Sequence, residues 1–198
     1  MLKLVFGQSP KPDLFELPDR PILEFSLGLL PIGKPQDWVL KGMADLLQQS
    51  LTPQVIILER IPLPGKCYNS QRDQYLAEAF LDIVRSTNRQ YELDRTLGVT
   101  DVDLYTPGLN FIFGQAMIHA GAAVISLARL VSMDKNLFIG RALKESVHEL
   151  GHTFGLTHCL NTYCIMHFSN CLLDTDKKGP WYCKNCELKL IKAANKLK

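Results

Sequence analysis

The stretch Val147-His148-Glu149-Leu150-Gly151-His152-Thr153-Phe154-Gly155-Leu156-Thr157-His158 decides how the rest of the chain is read. Upstream of it, Phe138, Ala142, Leu143 and Val147 continue into Leu150 and Phe154 at helical spacing. This predicts a helix from about Phe138 to Phe154 with Gly155 as its left-handed cap. At 3.6 residues per turn, His148 and His152 fall on one face a turn apart, so two imidazoles can share one zinc ion. Glu149 lies about 100° round the axis, beside such an ion without binding it. A straight helix would carry later residues away, but a sharp turn at Gly155 lets His158 point back as a third ligand. Matches to His-Glu-x-x-His alone arise by accident; the glycine and third histidine at fixed offsets make this one specific.

Outward from that helix, the chain reads as alternating strands and helices. Leu23–Leu27 has period two, Asp37–Gln49 carries Trp38, Leu40, Met43 and Leu47 at helical spacing, and Gln54–Leu58 reads as a buried strand. Asn69 is a candidate cap for a helix running to about Arg85. Asn110–Phe113 reads as a short strand before Gly114, and Ala122–Ala128 as a fully buried one. An amphipathic helix with a lysine-rich solvated face is expected from Glu187 onward. The fold class is therefore α/β, with helices packed on a sheet.

The chain has 198 residues, 46% hydrophobic and 21% charged, enough for one good core and no coiled coil or disordered tract. Its formal net charge of +2 is too balanced to imply a nucleic-acid or membrane partner. The longest near-apolar run, Ala120–Ala128, is too short to span a bilayer, and Met1–Phe6 lacks a signal-peptide core, so a cytoplasmic protein is expected. Of six cysteines, Cys67 stands alone as an ordinary thiol, while Cys159, Cys164, Cys171, Cys183 and Cys186 crowd the last quarter. In a reducing compartment such clustering favours metal over disulfide. The chain divides accordingly into residues 1–158 with the zinc helix and a small C-terminal subdomain, residues 159–198, within one compact catalytic unit.

Three neutral imidazoles leave zinc its full charge and an open position, so the expected chemistry is hydrolysis of an amide. Glu149 takes a proton from the activated water and returns it to the leaving amine. Eight residues beyond His158 stands Met166, within Cys164-Ile165-Met166-His167. With this methionine the pattern resembles the metzincin clan of zinc peptidases, in which the methionine forms an apolar floor beneath the metal. The cysteines, together with Val99–Tyr105 and Pro107–Phe111, narrow the resemblance to the archaemetzincin family, from about Leu51 onward.

That resemblance implies a metzincin-like fold with a twisted mixed β-sheet, an active-site helix and a small zinc-bound C-terminal subdomain. It assigns a catalytic zinc to His148, His152 and His158 and a structural zinc to Cys159, Cys164, Cys183 and Cys186, leaving Cys171 and His167 outside the ligand set. Four thiolates close a tetrahedron and leave no vacancy for chemistry. Phe168 occupies the place where some relatives carry a tyrosine that stabilises the oxyanion; His167, Tyr163 and Tyr182 are the candidate substitutes. A peptide or protein substrate is expected, with aminopeptidase action on short peptides and endopeptidase action both open. Asp101 and Asp103 are the candidate carboxylates for a free α-amino group. The competing class is a zinc-stabilised binding or scaffolding protein with a silent or latent site.

Overall fold

The run Leu27-Gly28-Leu29-Leu30-Pro31-Ile32 is apolar on both sides, a pattern suited to a strand covered on both faces. It forms β1 (Ser26–Ile32), buried along almost its whole length, in a computed structural model that describes residues 23–52 and 54–196. β1 lies between two parallel neighbours, β2 (Gln54–Ile57) and β5 (Arg95–Thr100). β8 (Ala122–Ser126) continues parallel to β5, and β7 (Gly114–Ala116) closes the sheet antiparallel to β8. The order of this twisted, mixed five-stranded sheet is β2-β1-β5-β8-β7. A small second sheet joins β3 (Tyr68–Asn69), β4 (Gln74–Leu76) and β6 (Leu104–Tyr105).

Alternate residues of the central strands feed two cores. Leu27, Leu29, Leu97, Val99 and Ile125 face α1 (Asp37–Ser50) and α3 (Lys135–Thr153), while Leu30, Ile32 and Val124 face α2 (Ala77–Gln90). Gly98 brings α2 close to the sheet, because a Cβ there would lie 2.7 Å from Val84 Cγ2. The residues after Cys159, with α4 (Leu172–Lys177) and α5 (Lys184–Ala194), are not a separate core: Cys164, Ile165, Met166, Tyr182 and Leu190 join the α1/α3 cluster.

Several expected elements move. The first strand occupies 26–32 and not 23–27. The helix expected from Asn69 starts at Ala77, because the Asn69 side chain instead accepts from the amides of Gln71 (3.1 Å) and Arg72 (3.2 Å), turning the chain between β3 and β4. The edge strand expected at Asn110–Phe113 falls at Gly114–Ala116. Arg72 donates to the carbonyls of Leu109 (2.9 Å) and Asn110 (2.8 Å), so that backbone is satisfied by a side chain and not by a ladder. The last helix begins at Lys184, inside the cysteine pair. β5 was not foreseen; Arg95 and Gly98 interrupt its apolar pattern. The reading of Met1–Phe6 lies outside the described residues. No helix among the described residues is long and apolar enough to cross a membrane.

Candidate active site and metal centres

Asp134 caps α3 by accepting from the amides of Asn136 (2.9 Å) and Leu137 (3.3 Å), which starts the helix three residues before Phe138. At the other end Gly155 has φ +88°. The Gly155 amide donates to His152 O (2.9 Å) and the Leu156 amide to Gly151 O (3.1 Å), the paired bonds of a Schellman cap. This turn reverses the chain and returns His158 towards the helix face carrying His148 and His152.

The three imidazoles converge, with ligand nitrogens within 4.8 Å of one another. His148 Nδ1 donates to the carbonyl of Ile165 and His152 Nδ1 to that of Leu156, each at 2.7 Å. A carbonyl only accepts, so both protons sit on Nδ1 and both Nε2 atoms carry lone pairs. Those two Nε2 atoms face each other at 3.2 Å. Neighbouring tetrahedral ligands about 2.1 Å from zinc stand about 3.4 Å apart, so the pair fits a zinc ion and would repel without a cation between. Burial, most of all, pushes His148 well below its ordinary value and lowers His152 and His158, which keeps the rings neutral and able to ligate. His158 stands at the exposed mouth against the Phe168 ring, centroids 4.9 Å apart.

Glu149 is 5% exposed and lines a cleft of about 390 Å³ with the three histidines. Burial, then the nearby Glu145 carboxylate, raise its pKa well above the usual range, with Lys178 opposing, the direction expected of a proton acceptor. β7 forms the opposite rim. Gly114 permits the approach, since a Cβ there would lie 2.6 Å from Glu149 Cγ. Beneath the helix Met166 is fully buried, its sulfur where a Cβ on Gly151 would come within 2.5 Å. The Met166 carbonyl accepts from the Cys159 amide (2.9 Å), so the methionine turn is stitched to the third-histidine loop.

Cys159, Cys164, Cys183 and Cys186 form a second convergent group, their sulfurs within 4.8 Å of one another. The Cys159 and Cys183 sulfurs are 3.9 Å apart, too far for a disulfide and close to the roughly 3.8 Å between thiolates on one zinc. Burial pushes Cys183 up, but the Cys186 amide and the thiols of Cys164, Cys186 and Cys159 outweigh it and bring Cys183 to about 7. Cys186 and Cys164 are instead raised, first by burial.

Other candidates lie elsewhere. Tyr182 donates to the carbonyl of Val147 (2.7 Å) inside the core, and Tyr163 is exposed outside the cleft-lining set. His167 is bonded through Nδ1 to Cys159 O (2.9 Å). Asp103 is engaged by Arg129 and Gln74, and Asp101 accepts from the Lys34 amide; neither lines the cleft. Cys67 and Cys171 stand apart from both metal groups. Sequence reasoning missed Gly114, Glu145, Lys178 and Ser169. For Glu145 the signal was present: it precedes Glu149 by four residues, one turn along the same helix face.

A cleft that pairs convergent imidazoles with a buried carboxylate under a free sheet edge defines a class, the zinc-dependent metallopeptidases. The sequence model of peptidase family M54 matches residues 33–192, and the chain belongs to that family, the archaemetzincins. The archaemetzincin of Methanopyrus kandleri is 50% identical over 128 residues, 65% of this chain and 72% of that protein. That of Pyrococcus furiosus is 43% identical over 173 residues, 82% of this chain and 90% of that protein. A crystal structure of the Methanopyrus kandleri archaemetzincin matches with TM-score 0.78 and 39% identity, covering 86% of this chain and 96% of that one. That of the Archaeoglobus fulgidus archaemetzincin complexed with malonate matches with TM-score 0.74 and 34% identity, over 83% of this chain and 99% of that one.

Proposed function

We propose that this zinc-dependent peptidase holds its catalytic zinc on His148, His152 and His158, and that Glu149 is its general base and acid. The observation that carries the reading is the pair of Nε2 lone pairs facing at 3.2 Å, each ring fixed by its Nδ1 bond to a carbonyl. Zinc, when bound, supplies a Lewis acid that acidifies water and polarises the substrate carbonyl. Glu149, buried beside it, takes the water proton and delivers it to the leaving nitrogen. β7 offers its free edge to an extended peptide, which would add as a further strand above the cleft.

A second zinc on Cys159, Cys164, Cys183 and Cys186 would be structural, tying the third-histidine loop to α5. The balanced charge favours peptides over nucleic acid, and a cytoplasmic setting suits reduced thiols at the second site. Trimming short peptides from the amino end is the narrower form of the reading.

The test is mass spectrometry of a peptide library incubated with zinc-loaded protein, wild type beside Glu149→Ala. Cleavage by wild type alone supports the assignment, and the cut positions separate end-trimming from internal cutting. Equal cleavage by both would overturn Glu149. No cleavage with both sites loaded would favour a binding protein.

A further inference from the structure

One turn before Glu149 on α3, Glu145 brings a second carboxylate to the same cleft, at its floor, where it is only 2% exposed. Its Oε1 accepts from Thr175 Oγ1 (3.0 Å) and pairs with Lys178 Nζ (3.1 Å); neither contact engages Oε2. The Lys178 side chain is fully buried and does not line the cleft. The pair is therefore a dipole with its positive end in the protein interior and its negative end at the cleft floor.

Core packing does not account for it, because an apolar pair of the same volume is usually at least as stable as a buried ion pair. Neither group ligates the metal or carries the proton in the roles assigned above, and their influences on the Glu149 carboxyl oppose each other. The carboxylate is also held in place. Arg141 grips Asp176 through Nε and Nη2 (2.7 and 2.6 Å), and Lys144 Nζ donates to the carbonyls of Thr175 (3.0 Å) and Asp176 (3.1 Å). The segment that carries Thr175 and Lys178 is thus fixed to α3, and Glu145 cannot swing away. A few residues upstream, Ser169 lines the cleft with a buried hydroxyl that has no hydrogen-bond partner. A polar, preorganised floor of this kind recognises a side chain that donates hydrogen bonds. A cationic side chain meets the negative end of the dipole; an acidic one meets Glu145 before it can reach Lys178.

We propose that Glu145, backed by Lys178, is a specificity subsite that selects a lysine or arginine side chain at one of the two residues flanking the scissile bond. This rests on the peptidase reading above and names a substrate class for it.

The experiment takes one peptide cut by the zinc-loaded full chain in a Glu149-dependent way. Each flanking residue is varied singly among Lys, Arg, Gln, Leu and Glu, and kcat/KM is measured. The expected result is a preference for Lys and Arg over Leu and Gln of about tenfold at one position only, with Glu poorest, the scale of one charge-assisted hydrogen bond. Glu145→Gln should bring the basic-to-neutral ratio close to one, and Glu145→Asp should keep its direction. Wild-type ratios are informative even if a variant fails to fold. Glu149-dependent cleavage with a flat or acid-preferring profile, or a basic preference that survives Glu145→Gln, overturns the subsite alone. Absence of Glu149-dependent cleavage overturns the subsite and the peptidase assignment together.

Discussion

Gly114→Ala crowds the carboxylate proposed as general base from the opposite rim of the cleft. The added Cβ would stand 2.6 Å from Glu149 Cγ, 2.8 Å from its Oε1 and 2.8 Å from the carbonyl oxygen of Val124. Carbon atoms rest at about 3.5 to 4.0 Å, so the overlap with Glu149 is about 1 Å. Val124 cannot retreat, because its strand is bonded on both sides, to β5 and to β7. The Glu149 side chain must therefore move, and a catalytic group displaced by about 1 Å costs about a hundredfold in rate. No histidine is among the three atoms nearest the new methyl group, so zinc content should be unchanged. We expect kcat to fall about a hundredfold. The assay is steady-state cleavage of a Glu149-dependent peptide, with metal analysis and a thermal melt on the same sample. A kcat within about threefold of wild type, with zinc bound and the fold intact, would refute the reasoning.

Tyr182→Phe removes the 2.7 Å bond to Val147 O and should lower unfolding free energy by about 1 to 2 kcal/mol in denaturant titration without changing zinc content. Cys186→Ser should lower the zinc content by at least one ion per chain relative to wild type by metal analysis and lower the melting temperature. In metal-free Glu149→Gln protein, the three histidines are depressed from an ordinary value near 6.5, so their neutral form stabilises the fold above that pH. Below about pH 6.5 stability should decline as pH falls towards the lowered folded values of these histidines; a melt flat from pH 6.5 to 5 would contradict this.

The helix that carries His148 and His152 was legible because histidine spacing and apolar spacing coincide there. His148 and His152 repeat at one turn, and Leu143, Val147 and Leu150 mark the buried side of the same cylinder. The cap at Gly155 was legible too, since a left-handed position favours glycine. Long-range side-chain bonds were not. Nothing near Asn110 reveals that Arg72 takes up its carbonyl and ends the strand reading. Asn69 looks equally suited to capping a helix or a turn, and pairing with β4 decides for the turn. Lys178 is thirty-three positions from Glu145 and reads as one of many surface lysines until the chain folds it into the interior. Asp101 and Asp103, attractive as free carboxylates, are consumed by Lys34 and Arg129.

The adjacency of His158 and Cys159 means that the two proposed metal sites share a single peptide bond. The sharing extends further. The Cys159 amide bonds to Met166 O, Cys164 lies two residues before Met166, and the intervening Ile165 carbonyl holds the His148 ring. Ordering these loops by one ion removes chain freedom that the other would otherwise have to restrict. Occupancy of the two sites is then thermodynamically linked and reciprocal, as binding linkage must be. If both proposed sites hold zinc, a chain that lacks the thiolate-bound ion should take up the catalytic ion more weakly as well.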